Sequence, residues 1–317
     1  MVDAAASFDR RFMAALARLI PDMESKGQKL GLAVSGGPDS VALLLLAWRS
    51  CPGQIAAATV DHGLRPAARE EAEFVASLCR QHGIAHEILR PAAPIRGSIQ
   101  STARRVRYEL LNGWMRQNDI DWLATAHHAD DQLETMIMRI LRGSGVDGLS
   151  GIREKRDNII RPLLDVQKSE LISYVAGHGI SPVDDPSNRD QGYDRVRVRK
   201  ALEELGGFDT RLASQSAGAL SDAREAIEWM VERLAAEHIV TSDTGCTFSQ
   251  APYPREIQRR LLLKCLHICE PTLAPRGSQI DQTLLALKKG QTVTLGNILC
   301  EGGDIWRFQP APARRNG

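Results

Sequence analysis

Two short stretches hold most of the side chains that could do chemistry. Ser35-Gly36-Gly37-Pro38-Asp39-Ser40 joins a short apolar run to a helix-length apolar one. Adjacent glycines let a backbone turn tightly and aim its N–H groups at one anion, with Ser35 and Ser40 as hydroxyl donors. Pro38 suits a first helical position, where no backbone donor is needed. A Walker loop would place a lysine before its Ser/Thr, and none stands here. Asp39 instead sets a carboxylate beside the phosphates, which it would repel unless a divalent cation lay between. The loop therefore predicts a phosphate group bound by residues 35 to 40, with Mg2+ held by Asp39 and the phosphates. A tight turn without ligand is the simpler alternative, but a turn alone does not ask for an acid beside two serines.

The second stretch is His127-His128-Ala129-Asp130-Asp131-Gln132-Leu133-Glu134-Thr135. Three residues apart, Asp131 and Glu134 share one face near the start of a predicted helix. Two carboxylates there could bind an ammonium group, bind magnesium or act as bases, whereas the plain alternative is N-capping by Asp130 or Asp131. His127 and His128 stand at a strand end, where consecutive side chains point apart, so packing or supporting hydrogen bonds are expected rather than joint metal ligation. Asp61-His62-Gly63-Leu64-Arg65 closes another strand, as a substrate-facing segment or an ordinary turn. Arg104, Arg107, Arg142, Arg195, Arg197, Arg199 and Lys200 supply local positive charge suited to RNA phosphates. In 195 to 200 the alternation of Arg and Val predicts several guanidiniums on one side.

These segments need a frame. Short apolar runs at Leu30 to Val34, Ile55 to Val60, Ala85 to Leu89, Trp122 to Ala126 and Asn158 to Leu163 read as strands. Helical patterns at Val41 to Trp48, Ala67 to His82, Gln100 to Asn118, Ala129 to Arg142 and Asp165 to His178 alternate with them. That alternation predicts an α/β fold, a doubly wound parallel sheet of Rossmann-like type, with both motifs at the carboxyl edge of the sheet. Gly143 to Gly151 and Asp184 to Lys200 read as functional loops. After Gly206-Gly207 the pattern changes to a long amphipathic helix, helices at Arg255 to Ile268 and Ile280 to Lys288, and a three-strand meander. The expected organisation is an α/β domain at 1–207, carrying both motifs, and a smaller α+β domain at 208–317.

Composition narrows the setting. Forty basic and 39 acidic side chains leave a net charge of +1, so a nucleic-acid surface must be local. Apart from the charge-interrupted N-terminus, no apolar run is long enough to cross a membrane, and the reading is a soluble cytoplasmic protein without membrane contact. The six cysteines are irregularly spaced and predict no disulfide framework. Cys265 and Cys269 flank His267 in an apolar helix, and buried thiols fit that pattern better than a metal site.

Taken together, the motifs resemble a known family. Ser-Gly-Gly-x-Asp-Ser after the first strand is similar to the signature of the PP-loop ATP pyrophosphatases, which cleave ATP between its α- and β-phosphates. Within that superfamily, residues 127 to 135 resemble the HHxDDQxET motif of the lysidine synthetases, and Arg142 to Gly151 resembles their RGSGxxGLxG loop. Ala103-Arg104-x-x-Arg107-Tyr108 matches an ARxxRY element and Asp185-Pro186-Ser187-Asn188 a DxSN segment. The resemblance covers most of residues 30 to 200. It implies adenylation of the carbon-2 oxygen of the wobble cytidine in the isoleucine tRNA with a CAU anticodon. Free L-lysine then displaces AMP, giving lysidine, which pairs with A rather than G and moves codon reading from AUG to AUA.

On that resemblance Asp39, Asp131, Glu134 and His128 carry catalysis, Asp131, Glu134 and Asp185 hold the lysine, and Arg104, Arg107, Arg142, Arg195 and Arg199 contact the tRNA. An ε-amine of reference pKa about 10.4 is mostly protonated at neutral pH, a population penalty of roughly 4–5 kcal/mol that a local base must help offset. Asp131, Glu134 and His128 are the candidates, with no choice among them. The family's Arg-Asn pair is Arg195-Val196 here, so no asparagine role carries over. A PP-loop thiolase, an ammonia-using relative and a non-catalytic nucleotide or tRNA binder are the competing readings, and a homodimer is compatible with the sequence. A thiolase would want a CxxC pair near the catalytic domain, and a binder has no need of carboxylates crowded near phosphates.

Overall fold

A computed structural model describes residues 2–63, 67–93, 99–183 and 194–312. Asp185 and its DxSN segment, with Leu64 and Arg65, lie outside the described residues. The chain divides into two units, Met1–Ser221 and Asp222–Gly317.

The first unit runs α1 (Val2–Leu19), β1 (Leu30–Ala33), α2 (Pro38–Ser50), β2 (Ile55–Val60), α3 (Ala67–Gln81), β3 (Ala85–Leu89), α4 (Ile99–Gln117), β4 (Trp122–Thr125) and α5 (Ala129–Ile140). It continues through α6 (Val146–Leu149), β5 (Lys155–Arg156), β6 (Ile159–Ile160), α7 (Lys168–Gly177) and α8 (Asp194–Leu205). The sheet has the order β3-β2-β1-β4-β6-β5. β1 pairs in parallel with both β2 and β4, with Leu30 opposite Ile55 and Trp122. The doubly wound sheet is thus as predicted, except that its edge is an antiparallel hairpin of β5 on β6.

Helix α2 is apolar on every side and accordingly buried on every side: Val41 through Ala47 are 1 % exposed or less. Each fully buried leucine there contributes about 1.5–3 kcal/mol. α2 is held by the sheet and by α1 and α7. α1, which the sequence reading did not assign, contributes Phe8, Phe12, Leu16 and Leu19 at helical spacing. Phe8 meets Tyr174 edge to face at 5.0 Å, and Asp9 accepts from Tyr174 Oη and Arg49 Nε, both at 2.8 Å.

Two further expectations change. The sequence predicts a loop with alternating faces up to Lys200, but residues 194 to 205 form α8. None of its side chains is buried, so it lacks the apolar stripe that would have revealed it. The boundary expected after residue 207 falls instead within α9 (Thr210–His238), because its first turns pack with the first unit through Ala217 and Ser214, whose hydroxyl donates to the Leu164 carbonyl at 2.6 Å.

The second unit carries β7 (Ile239–Ser242), β8 (Gly245–Ser249), α10 (Arg255–Cys269), α11 (Gly277–Lys288), β9 (Thr292–Leu295), β10 (Ile298–Glu301) and β11 (Ile305–Pro310). Its antiparallel sheet, β7-β8-β11-β10-β9, adds a hairpin to the predicted meander. α10 and α11 cover one face over Phe248, Trp306 and Phe308. Cys246, Cys265 and Cys300 are buried in that core, and His267 donates to the Leu273 carbonyl at 3.0 Å rather than facing the thiols. No described helix is long and apolar enough to cross a membrane.

Candidate active site at the switch point of the sheet

Chain connections leave β1 toward β2 on one side and reach β4 on the other, and open α/β sheets bind ligands in the crevice above such a reversal. Both motifs sit there, one after β1 and one after β4. They line a cleft of about 1050 Å3 in the first unit.

The loop after β1 is braced from within. Gly36 takes φ +93°, a region open to glycine, and Pro38 opens α2 as predicted. Buried Ser40 accepts hydrogen bonds from the Ser35 N–H (3.1 Å) and the Gly36 N–H (3.2 Å) and donates to the Gly37 carbonyl (3.0 Å). Ser40, expected to bind phosphate directly, thus sets the curvature of the loop, and Ser35 Oγ lies 3.2 Å from it. Val183 N–H adds an outer tie to the Gly36 carbonyl at 3.2 Å. Asp39 Oδ1 is buried and has no hydrogen-bond partner, the kind of orphaned acceptor that a cation satisfies. Among the described residues no three His, Cys, Asp or Glu form a metal site by themselves, so phosphate oxygens would have to complete the coordination.

His128 connects the two motifs. Its Nε2 lies 3.4 Å from Asp39 Oδ2 and 3.6 Å from Asp131 Oδ2, and its Nδ1 lies 3.5 Å from Asp130 Oδ2. These are ionic contacts rather than well-formed hydrogen bonds, and Nδ1 has no bonded acceptor. Burial alone would discharge the ring, but Asp130 and Asp39 beside it, with the charge of Asp131, push it up to about 10. His128 is therefore a cation among three carboxylates, and any relay through it begins from the proton-bearing form.

His127 is its opposite. Burial first, then the charges of Arg161, Arg107, Arg195 and Arg104, hold it well below the ordinary imidazole value, while its Nδ1 lies 2.8 Å from Thr125 Oγ1. The two rings do point to different partners, as expected at a strand end.

The three carboxylates of α5 divide their work. Asp130 Oδ2 accepts from the Lys168 N–H at 2.9 Å and from Thr210 Oγ1 at 3.3 Å, fixing the start of α7 and of α9. Asp131 Oδ2 caps α5 by accepting from the His128 N–H at 3.0 Å, and its Oδ1 accepts from Arg195 Nη2 at 2.6 Å. Glu134, 3 % exposed, accepts from Arg195 Nε at 2.6 Å, from Arg199 Nη2 at 3.1 Å and from Arg199 Nε. The helix explains this grouping: residues 195 and 199 share a face at i,i+4, while Arg197 turns away to Asp194. The expectation that alternation would align Arg195, Arg197 and Arg199 is corrected accordingly.

The remaining predicted arginines scatter. Arg107 lines the cleft, where burial pulls its guanidinium below the usual arginine value. Arg104 is exposed and lies over the Tyr108 ring at 5.2 Å, and Arg142 pairs at the surface with Asp194 at 2.9 Å. Neither Arg104 nor Arg107 has a carboxylate partner among the described residues. The glycine-rich segment is tied to α5 by Gln132, whose side chain donates to the Ile152 carbonyl (2.9 Å) and accepts from its N–H (2.7 Å). A Cβ at Gly151, φ +65°, would come within 2.4 Å of that side chain, so both the backbone angle and the Gln132 tie favour glycine there.

Sequence reasoning missed Lys168, Ile172 and Val183, which line the cleft without a spacing signal. It left His62 open between substrate contact and turn; His62 lines the cleft, and its Nδ1 is buried without a partner. Asp61 beside it accepts from the Gly63 N–H at 3.0 Å and Arg90 Nε at 3.1 Å, shaping the turn that presents the ring.

The chain is similar to known proteins in sequence and in fold. Residues 7–205 match the model of a PP-loop domain. The tRNA(Ile)-lysidine synthase of Zymomonas mobilis is 39 % identical over 296 residues, 90 % of each chain, and that of Novosphingobium aromaticivorans is 39 % identical over 294 residues, again 90 % of each. Among solved structures, the U34-tRNA thiolase NcsA of Methanococcus maripaludis superposes with a TM-score of 0.56 at 17 % identity, covering 70 % of this chain and 80 % of its own, a likeness of fold. Sharing two-fifths of its residues with these synthases along nearly its whole length, the chain belongs to the tRNA(Ile)-lysidine synthase family of PP-loop proteins.

Proposed function

We propose that the protein uses ATP to adenylate the carbon-2 oxygen of the wobble cytidine in an isoleucine tRNA with a CAU anticodon, and then joins the ε-amine of lysine to that carbon, releasing AMP. One observation carries the reading: the carboxylate of the phosphate loop, Asp39, and Asp131 of the pair on α5 meet across the single imidazole of His128. Activation and amine attack are thereby served from one cleft.

Residues 35 to 39 hold the polyphosphate, with the curvature fixed by Ser40. Asp39 would hold Mg2+ together with the phosphates, which when bound neutralises charge on the departing pyrophosphate. Ala58, Val60 and Leu111, with His62, line an apolar part of the cleft suited to adenine. A cytosine carbonyl oxygen leaves poorly until it becomes an AMP ester, so activation precedes attack. Asp131 and Glu134 bind the lysine ammonium, and one of them accepts the proton that frees the amine. Arg104, Arg107 and Arg142 contact tRNA phosphates, and residues 208 to 317 share in that contact, a division supported by the size of a tRNA relative to one cleft. A thiolase reading gains nothing from the first unit's thiols: Cys51 is buried and pushed up to about 11, and Cys79 to about 12.

Incubating the protein with tRNA, labelled lysine and ATP–Mg2+ is expected to move label into RNA with one AMP and one pyrophosphate per lysine. ATP cleavage with all label left in free lysine would point to a different PP-loop reaction.

A further inference from the structure

The place assigned to the lysine ammonium is spanned by a side chain of the protein itself. Arg195 reaches Asp131 Oδ1 through Nη2 and Glu134 Oε2 through Nε, each at 2.6 Å, so one guanidinium bridges the two carboxylates. Arg199 behaves differently, with both its contacts on Glu134 alone. Arg195 is also the more exposed of the two, at 38 % against 25 %.

We infer that Arg195 is a stand-in for the substrate ammonium, pairing with Asp131 and Glu134 until lysine displaces it while Arg199 stays on Glu134. The inference rests on the reading of Asp131 and Glu134 as the lysine site. An ammonium has three donors and matches the two acceptors that Arg195 spans. With Arg199 retained, Glu134 stays paired and no carboxylate of the pair is left buried and alone.

The charge balance explains why such a stand-in is useful. Asp39, Asp130 and Asp131 are gathered around His128, Glu134 shares Arg195 with Asp131, and ATP would bring further negative charge to the same cleft. Carboxylates without cations there would oppose nucleotide binding before lysine arrived. Arg195 supplies the positive charge first, and lysine replaces it at the two carboxylates with an equal one, so neither acid is left without a cation.

The fold makes the exchange inexpensive. α8 buries none of its side chains and lies against α5, where the Arg195 and Arg199 ion pairs join the two helices. Arg195 is the second residue of α8, so its side chain can leave the carboxylates without unwinding the helix interior. It already lines the cleft, where its charge is felt by His127, and on release it remains beside the nucleotide.

A lysine titration of the tRNA reaction tests this. Arg195→Ala is expected to lower the KM for lysine about tenfold, the factor set by about 1.4 kcal/mol of lost competition, and to lower kcat as the released charge is lost. Arg195→Lys, with a shorter-reaching competitor, is expected between the two. A KM that is unchanged or raised in Arg195→Ala would mean that Arg195 only positions the carboxylates, and the inference falls. Hydrogen exchange on the unaltered protein gives an answer that needs no variant. Lysine should speed exchange at the N-terminal end of α8, residues 194 to 198, and norleucine, which lacks the ε-amine, should not; unchanged or slower exchange there with lysine overturns the inference. Label transfer by the unaltered protein separates the two levels. If no lysine reaches tRNA, the functional reading fails and this inference with it. If transfer occurs while KM does not fall in Arg195→Ala, only the stand-in is wrong.

Discussion

On one side of His128 the phosphate loop offers a buried carboxylate oxygen, Asp39 Oδ1, that nothing in the protein satisfies, whereas on the other side all four oxygens of Asp131 and Glu134 already have donors. The two regions lie in one cleft and use the same chemical group, yet one is organised around a partner from outside and the other around partners from the chain. A buried unpaired acceptor costs stability and is kept where a ligand repays it, while a paired acid costs little until a competitor arrives. The first arrangement favours tight, cation-dependent binding of an anion. The second favours exchange of one cation for another.

The comparison can be broken most directly at Asp39. Asp39→Asn keeps the shape of the loop and removes the charge, and pyrophosphate release is expected to fall about a hundred- to thousandfold, with tRNA retention on filters nearly unchanged. Loss of both together would make Asp39 a structural residue and end the contrast. Glu134→Gln probes the other side. It leaves two guanidiniums facing a neutral amide, and because both reach solvent the expected loss of stability is about 3 kcal/mol, the low end for breaking a buried pair. Guanidinium unfolding curves measure it, and a variant within experimental error of the parent would show that the arginine pairs contribute nothing to the fold.

A smaller effect sharpens the contrast with a third carboxylate. Burial alone would raise Asp61, but the Gly63 amide and the Arg90 guanidinium outweigh it and hold the carboxyl below its usual range. A depressed folded value stabilises the protein above the unfolded pKa of about 3.9 and loses that contribution as pH falls below it. Asp61→Asn is accordingly expected to cost about 1.5 kcal/mol at pH 7, a gap that stays level down to about pH 5 and closes in more acid solution. Urea midpoints across that range measure it, and a gap that widened on acidification would reverse the assigned sign.

How far the site could be read in advance depended on whether its signal was local. The loop after β1 was legible because Gly, Gly, Pro and Asp each have a separate reason to stand where they do within six residues. α5 was legible from its apolar period, and so was the pairing of Asp131 with Glu134 on one face. α8 was not, because it buries no side chain and its Arg-Val alternation imitates a strand. α1 shows Phe8, Phe12 and Leu16 at helical spacing, but the charges between them were weighed against a membrane span rather than for an amphipathic helix.

The sequence by itself determined the element order, the sheet type and the identity of the phosphate loop, because backbone turns and apolar periodicity act between near neighbours. Only the tertiary structure decided that Arg195, 64 residues from Asp131, would meet that acid, and that Gln132 would anchor the segment around Ile152, 20 residues on. It also decided that His128 would carry a charge while the adjacent His127 would not. Charge state and ionic partner depend on what lies within a few Å in space, and packing of distant segments sets that distance.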